Sequence, residues 1–137
     1  MGELRDVDLL DDEPRKHVLI VEDDQVTALV LAEFLNAHGY RTTIARNGPE
    51  GAEKFIAERP DLALVDVLLP RKNGFETCFE MKQSEHGRAT PVVLMSAVYR
   101  ATHAKEYARS LLAEGFLRKP FDLDVLLERV KQLVGDP

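Results

Sequence analysis

Five short apolar runs alternate with helical patterns along this chain, and the alternation constrains the fold more than any other feature. The runs cover residues 18–21, 41–45, 62–65, 91–95 and 115–118. The third run is apolar at every position and the fourth is again continuous, as in parallel strands that helices cover on both faces. Strict alternation of strands and helices predicts an α/β fold built on one parallel sheet.

The segments between these runs have apolar residues at helical spacing. We expect helices from about Gln25, from Gly48-Pro49 to Pro60, from Gly74 to about Ser84 and over 102–112, with a last helix opened by Asp122. The residues that share the apolar positions of three of these helices are Ala28, Leu31, Ala32 and Leu35; Ala52, Phe55 and Ile56; and Val125, Leu126, Val130 and Leu133.

Composition limits the class of protein. A chain of 137 residues suits one domain, and no apolar run approaches the roughly 20 residues that span a bilayer. The N-terminus lacks the plan of a signal peptide, so we expect a cytoplasmic protein. Residues 1–14 hold six acids and one arginine, which predicts a flexible acidic tail over 1–16 before a single domain at 17–135. The net charge of −6, without a run of lysine and arginine, argues against nucleic-acid binding.

Polar residues follow four of the five runs at their carboxyl ends. Glu22, Asp23 and Asp24 follow the first run, Asp66 the third, Ser96 the fourth and Lys119 the fifth. Ligands of open parallel sheets bind outside the carboxyl ends of the strands. In the flavodoxin-like strand order 2-1-3-4-5 these four strands are neighbours, and the second strand, which carries no such residue, lies at the edge.

These residue types suit phosphoryl transfer. Carboxylates are ligands that Mg²⁺ accepts together with water and phosphate oxygens, and a carboxylate is also a nucleophile toward phosphorus. Lys119 supplies an ammonium and Ser96 a hydroxyl for the phosphate oxygens. Asp24 has a separate interpretation, because its place before the helical pattern predicts an N-cap.

Four stretches, VLIVEDD, LALVDVLLPRKNG, PVVLMSA and GFLRKPF, resemble in order the signature blocks of the receiver domain of bacterial two-component response regulators, over about residues 17–134. The resemblance implies a flavodoxin-like (βα)5 fold with sheet order 2-1-3-4-5. It implies that Asp66 is the phosphoacceptor and that Glu22 and Asp23 hold Mg²⁺, with Glu22 acting through water. It further implies that Leu68 offers a backbone carbonyl to the metal, that Ser96 and Lys119 contact the phosphoryl group, and that the Lys119–Pro120 bond is cis.

The same resemblance implies partners. The phosphoryl donor would be a sensor histidine kinase or a histidine phosphotransfer protein, and a downstream effector protein or domain would read the state of the switch. A weak homodimer through the last two units fits the family. We expect Ser96 to move toward the phosphoryl group and Phe116 to move after it. Tyr99, Tyr107 and Phe121, together with Phe116, form a candidate output face. The chain would catalyse only its own phosphorylation and dephosphorylation, and in that sense is not an enzyme.

Some positions depart from the family pattern. Phe116 stands where tyrosine is frequent, and Leu112 stands where glycine is frequent. The positions two residues beyond Asp66 and Ser96 are the apolar Leu68 and Val98, where relatives place polar groups that position a hydrolytic water. We therefore expect slow self-dephosphorylation.

Two other functions are compatible with parts of this pattern. A Mg²⁺-dependent phosphohydrolase would also use an aspartyl phosphate, but that class needs a second acid two residues after the nucleophile, where this chain has Leu68. An unphosphorylated scaffold with the same fold would normally have lost an acid or the lysine, whereas all of them are present here.

Overall fold

The structure is a computed structural model that describes residues 15–97 and 101–137, with side chains from residue 105 onward in the second range. Its five parallel strands form one sheet in the order β2-β1-β3-β4-β5, as the sequence predicted. The strands are β1 (His17–Val21), β2 (Arg41–Ala45), β3 (Leu62–Asp66), β4 (Val92–Ser96) and β5 (Gly115–Arg118). All five carboxyl ends therefore meet at one edge of the sheet.

Burial along the strands follows their position in the sheet. Every residue of β1, β3 and β4 is buried, because helices cover both faces of these central strands. The edge strand β2 has four of its five residues only half-buried, and Leu117 is the one buried residue of the edge strand β5. Register places Val65 beside Val21 and Asp66 beside Met95, so β3 ends one residue beyond β1, and β4 ends one residue beyond β3.

Five helices connect and follow the strands. They are α1 (Gln25–Ala37), α2 (Gly48–Glu58), α3 (Gly74–Gln83), α4 (Ala101–Ser110) and α5 (Leu123–Val134), and a short 3₁₀ helix spans His86–Arg88. Asp24, Asn47 and Asn73 cap α1, α2 and α3, each accepting a hydrogen bond from the backbone N–H three residues ahead. The N-cap prediction for Asp24 is confirmed. Asp122 stands at the N-cap position of α5, but its side chain makes no capping hydrogen bond.

Two apolar layers hold the sheet between the helices. One contains the sheet residues Val18, Ile20 and Leu64 with side chains of α1 and α5. The other contains Leu19, Val21 and Val65 with side chains of α2, α3 and α4. Side chains alternate between the two faces along each strand, which is why neighbours in one strand belong to different layers. No helix in the described part of the chain is long and apolar enough to cross a bilayer.

The predicted buried faces of the helices need two corrections. Ile56 is 53% exposed, and so is not part of the buried face of α2. Gly51, Ala52 and Phe55 fill that face, and one further residue turns the side chain about 100° away from the sheet. Val125 is likewise 49% exposed, whereas Leu126 and Val130 are fully buried.

The C-terminal end of α4 differs from the predicted range of 102–112. The helix ends at Ser110, and Leu112 adopts a left-handed conformation with φ of 68°. That conformation favours glycine, because a Cβ crowds the following carbonyl oxygen there. Leu112, which stands where the family frequently has glycine, therefore occupies a backbone conformation that favours glycine. Most of the predicted tail, residues 1–14, lies outside the described residues.

Candidate functional site

The loop after β1 places Glu22 and Asp23 at the carboxyl edge of the sheet. Glu22 continues the strand pairing, since its N–H donates to the Ala45 carbonyl at 2.9 Å, and its side chain is 1% exposed. Asp23 is exposed. Asp24 points away to cap α1, where Oδ2 accepts from the Thr27 N–H at 2.9 Å and from the Thr27 hydroxyl at 2.6 Å. Those hydrogen bonds lower the pKa of Asp24.

Asp66 ends β3 in the middle of the same edge and is 7% exposed. Its Oδ1 accepts a long hydrogen bond of 3.4 Å from the backbone N–H of Leu68, whose own side chain is 48% exposed. The first residue of α3, Gly74, packs against the backbone here. A Cβ at Gly74 would lie 2.2 Å from the Asp66 carbonyl oxygen, so only glycine allows α3 to start this close.

Three carboxylates converge at this point. Glu22, Asp23 and Asp66 each offer an oxygen, and these oxygens lie within 4.8 Å of one another. Two unit charges at such a separation repel by several kcal/mol at an effective dielectric constant of about 20. The cluster is therefore costly to the folded protein unless positive charge compensates it.

Lys119 supplies part of that charge. Its Nζ lies 2.5 Å from Glu22 Oε1 and 3.5 Å from Asp66 Oδ2, and its peptide bond to Pro120 is cis. Burial raises the pKa of Glu22; the hydrogen bond from Lys119 opposes that rise, and the nearby charge of Asp66 adds to it. The sequence indicated a lysine at this site but not that it would pair most closely with Glu22.

The donor set of the cluster fits a small hard cation. Three carboxylates and one ammonium leave two negative charges, which a divalent cation would neutralise. All side-chain donors are oxygens, the ligands that Mg²⁺ prefers. The mixture of buried Glu22 and Asp66 with exposed Asp23 leaves one side of the cluster open to solvent.

Ser96 and Phe116 lie in β4 and β5, the two strands that follow the strand of Asp66 in the sheet. Ser96 ends β4, is fully buried, and accepts through its backbone carbonyl a hydrogen bond of 2.9 Å from the Lys119 N–H. Phe116 pairs with Leu94 of β4 and packs, half-buried, against the core layer under α4. The candidate switch residues thus belong to the two strands that follow Asp66 in the sheet.

Of the residues predicted as an output face, the structure describes Tyr107, Phe116 and Phe121, and it packs Tyr107 and Phe121 on opposite sides of the sheet. Tyr107 is 52% exposed and stacks edge-on against Phe75 of α3 at 4.3 Å. Phe121 packs against the opposite core layer, where it lines a groove with residues of α1. Phe116 and Phe121 lie on different sides of the sheet. Tyr99 and Val98 lie outside the described residues.

Sequence reasoning assigned no role to Gly74, although the residue positions the acid loop. The available signal was a glycine directly after the capping Asn73, at the start of a helix that follows the acid-bearing strand. The ion pair of Lys119 with Glu22 had no local signal, since 97 positions separate the two residues.

Comparison with known proteins agrees with this geometry. The family model described as the response regulator receiver domain matches residues 18–131. The chain is 35% identical over 122 residues to the transcriptional regulatory protein CrdR of Helicobacter pylori, covering 89% of this chain and 56% of CrdR. It is 31% identical over 121 residues to the polar-differentiation response regulator DivK of Brucella anthropi, covering 88% of this chain and 98% of DivK.

A solved structure shows the same fold. The receiver domain of a sensor histidine kinase from Pseudomonas aeruginosa, crystallised with a magnesium ion coordinated in its active-site cleft, superposes with a TM-score of 0.81 at 26% identity, covering 89% of this chain and 99% of that domain. The chain therefore belongs to the response regulator receiver domain family, whose members are phosphorylation-dependent switches of two-component signalling. It spans little more than half of CrdR and nearly all of DivK.

Proposed function

We propose that Asp66 accepts a phosphoryl group and that its modification switches the partner-binding surface of this domain. The observation that carries the proposal is the position of the Asp66 carboxylate, within 4.8 Å of two further acids and 3.5 Å from the Lys119 ammonium. This juxtaposition serves no purpose for stability. It suits a reaction in which negative charge arrives at a carboxylate and has to be neutralised.

The transfer step forms one bond and breaks another. An Asp66 carboxylate oxygen attacks phosphorus and the P–N bond of a phosphohistidine donor breaks. The imidazole ring, which carries a proton on its other nitrogen, takes the electron pair of that bond and leaves as neutral imidazole. The product is an acyl phosphate. Lys119, which lies between Glu22 and Asp66, is placed to pair with an oxygen of the transferred group. The Ser96 hydroxyl, at the end of the adjacent strand, is proposed as a hydrogen-bond donor to another.

Mg²⁺ is the proposed cofactor, held by Asp23 and Asp66 with Glu22 acting through water and with the Leu68 carbonyl as a backbone ligand. The two uncompensated negative charges of the cluster support this assignment, as does the magnesium ion in the Pseudomonas aeruginosa relative. When bound, the ion would neutralise the charge that develops on the phosphoryl oxygens.

The phosphoryl group would change the domain through local electrostatics. It adds roughly −1.5 to −2 charges and several strong acceptors, which is enough to shift an equilibrium between two loop conformations. We propose that Ser96 moves toward the modified Asp66 and that Phe116 moves inward after it. The support is the order of the sheet, in which β4 lies beside the strand of Asp66 and β5 lies beside β4.

A groove beside the site is a candidate docking surface for the phosphoryl donor, a sensor histidine kinase or a histidine phosphotransfer protein. Val26 and Val30 of α1 are 71% and 46% exposed, and they line the groove together with Pro120 and Phe121. Lys119 lines the same groove, so a helix docked on these apolar residues would present its histidine near Asp66. A cytoplasmic location follows from such a donor.

The chain is proposed to act as a switch and to catalyse only its own phosphorylation and dephosphorylation. A phosphohydrolase requires an acid two residues after its nucleophile, and that position holds the half-exposed Leu68. A scaffold function without phosphorylation would leave the cost of the acid cluster unexplained.

Intact mass spectrometry after incubation with acetyl phosphate tests the proposal. We expect one phosphoryl adduct on the wild type with Mg²⁺, none on Asp66→Asn, and none on the wild type with excess EDTA. Glu53→Gln, which alters an exposed acid of α2, serves as a matched control and should label as the wild type does. Equal labelling of wild type and Asp66→Asn would refute the assignment of the acceptor.

A further inference from the structure

A basic groove lies at the edge of the sheet, between α4, β5 and α5. Lys105 and Arg109 of α4 line one side of it, and Arg129 of α5 lines the other. Between them the floor consists of small apolar residues and the half-buried Phe116. No lysine or arginine cluster marks this groove in the sequence, because its three cations come together only through the packing of two helices around the last strand.

The positive charge of the groove is uncompensated within the described part of the chain. Lys105, Arg109 and Arg129 form no ion pair with any described carboxylate. The one acid in the lining, Glu114, is already engaged by Lys82 at 2.7 Å and by the Val92 N–H at 2.7 Å. The groove is therefore ready to accept negative charge from a further group.

The edge position of β5 adds a second recognition element. As the last strand in the order β2-β1-β3-β4-β5, it pairs with β4 alone and leaves one side of its backbone unpaired with any strand of the sheet. Such an edge accepts an extended peptide segment through main-chain hydrogen bonds. An acidic segment with interspersed apolar residues suits a basic groove that has an apolar floor.

We propose that the acidic N-terminal segment of this same chain, residues 1–14, docks in the basic groove. The segment holds six acids and one arginine, a net charge of −5 out of the −6 of the whole chain. The remainder of the protein is close to neutral, so the strongest negative segment and a cluster of unpaired cations are complementary. Val7, Leu9 and Leu10 give the segment the apolar residues to cover Ala108, Ala113 and Phe116.

The segment reaches the groove without strain. It joins the domain just before β1, and because all strands are parallel, β1 and β5 start at the same edge of the sheet. Two strands separate them, so their starts lie about 14 Å apart at a strand spacing of about 4.8 Å. Fourteen residues span up to about 46 Å when extended. Attachment in the same chain also gives the segment an effective concentration of about millimolar.

Docking there would cover the solvent-facing surface beside Phe116. Any partner that binds α4, β5 and α5 would first have to displace residues 1–14. If Phe116 moves on phosphorylation, as proposed above, the affinity of the segment would change with it; that last link rests on the proposed function, whereas docking itself does not.

Paramagnetic relaxation enhancement in the full chain tests the docking. A nitroxide is attached to the thiol introduced by Leu4→Cys, outside the apolar residues proposed to contact the groove. The native Cys78 is fully buried and burial raises its thiol pKa to about 12, so it stays unlabelled. We expect loss of amide signal intensity at Ala113, Gly115 and Phe116 at low salt, with none around Ala45, at the carboxyl end of the opposite edge strand β2. The loss should diminish at 1 M salt, where the Debye length falls to about 3 Å.

Charge reversal supplies the control. Lys105→Glu with Arg109→Glu, both at exposed positions, should restore the amide intensities, whereas the equally charged pair Arg46→Glu with Arg88→Glu should not. Reversing Asp6, Asp8, Asp11 and Asp12 to lysine in the groove-reversed protein should bring the intensity loss back. No loss in the wild type, or a loss that survives groove reversal, would overturn the proposal. So would intensity loss on an isotope-labelled chain mixed with a separate spin-labelled chain, because a second copy would then be the occupant.

Discussion

At Asp23 the electrostatic repulsion within the acid cluster and the proposed binding of Mg²⁺ can be measured separately. Its carboxylate stands within 4.8 Å of those of Glu22 and Asp66, and no described cation pairs with it. At that separation two unit charges repel by about 0.9 kcal/mol in bulk water and by about 3.5 kcal/mol at an effective dielectric constant of 20. Lys119 offsets about one of the two neighbouring charges, and solvent screens the exposed Asp23. The repulsion energy at Asp23 is therefore near the value for bulk water.

We therefore expect Asp23→Asn to raise the free energy of unfolding by about 1 kcal/mol in Mg²⁺-free buffer at low ionic strength. Mg²⁺ should reverse this order. At ten times its dissociation constant a ligand stabilises the folded state by about 1.4 kcal/mol, and the variant has lost a ligand of the proposed site. The wild type should gain this stabilisation and Asp23→Asn should gain little of it.

Urea denaturation followed by circular dichroism, with EDTA and with Mg²⁺, measures both effects in one set of curves. Glu53→Gln is the control, since it removes an exposed acid outside the cluster and should respond to Mg²⁺ as the wild type does. An Asp23→Asn variant that is no more stable than the wild type in EDTA, or equal stabilisation of both proteins by Mg²⁺, would contradict this expectation.

Four further changes have defined outcomes. Gly74→Ala should lower the free energy of unfolding by about 1–3 kcal/mol and slow phosphorylation, because its Cβ would lie 2.2 Å from the Asp66 carbonyl oxygen; unchanged denaturation curves would contradict this. Leu112→Gly should raise the free energy of unfolding by about 0.5–1 kcal/mol. The substitution relieves about 1–2 kcal/mol of left-handed strain, and the extra conformational freedom of glycine in the unfolded chain cancels part of that gain. A lower melting temperature would be the opposing result. Burial raises the pKa of Glu22 above its ordinary value of 4.5, so the folded state binds this proton more tightly than the unfolded state does. Without Mg²⁺, the stability of the wild type should therefore fall relative to that of Glu22→Gln as the pH rises from 4.5 through the raised pKa. Parallel curves of stability against pH would argue against this. Leu68→Gln should accelerate loss of the phosphoryl group by roughly tenfold through a better-placed water, whereas a wild-type half-life of seconds would show that the apolar side chain does not slow hydrolysis.

The parallel sheet could be predicted from the sequence because each central strand carries its own signal, whereas the strand order 2-1-3-4-5 was implied by the resemblance to the receiver domain. Residues 62–65 are apolar at every position, and β3 is buried at every position, as expected for a strand covered on both faces. The acids, the serine and the lysine directly follow the strands, so topology alone brings them to one edge. Asp24 could be assigned to capping because an N-cap is a local feature of the chain.

Features that depend on side-chain direction or on distant residues could not be predicted in this way. Ile56 follows the fully buried Phe55 and is as apolar, yet helix rotation turns it to solvent. Phe116 and Phe121 are five residues apart but belong to opposite core layers. The pairing of Lys119 with Glu22 and the convergence of Lys105 with Arg129 require the folded positions of separate elements.

The central claim is that Asp66 itself carries the phosphoryl group, and chemical trapping tests it most directly. Borohydride reduces an acyl phosphate of aspartate to homoserine, which peptide sequencing by mass spectrometry then locates. After phosphorylation by acetyl phosphate in Mg²⁺, we predict homoserine at position 66 and at no other acid of the chain. Homoserine at Asp23, or a phosphorylated protein that yields none, would contradict the account.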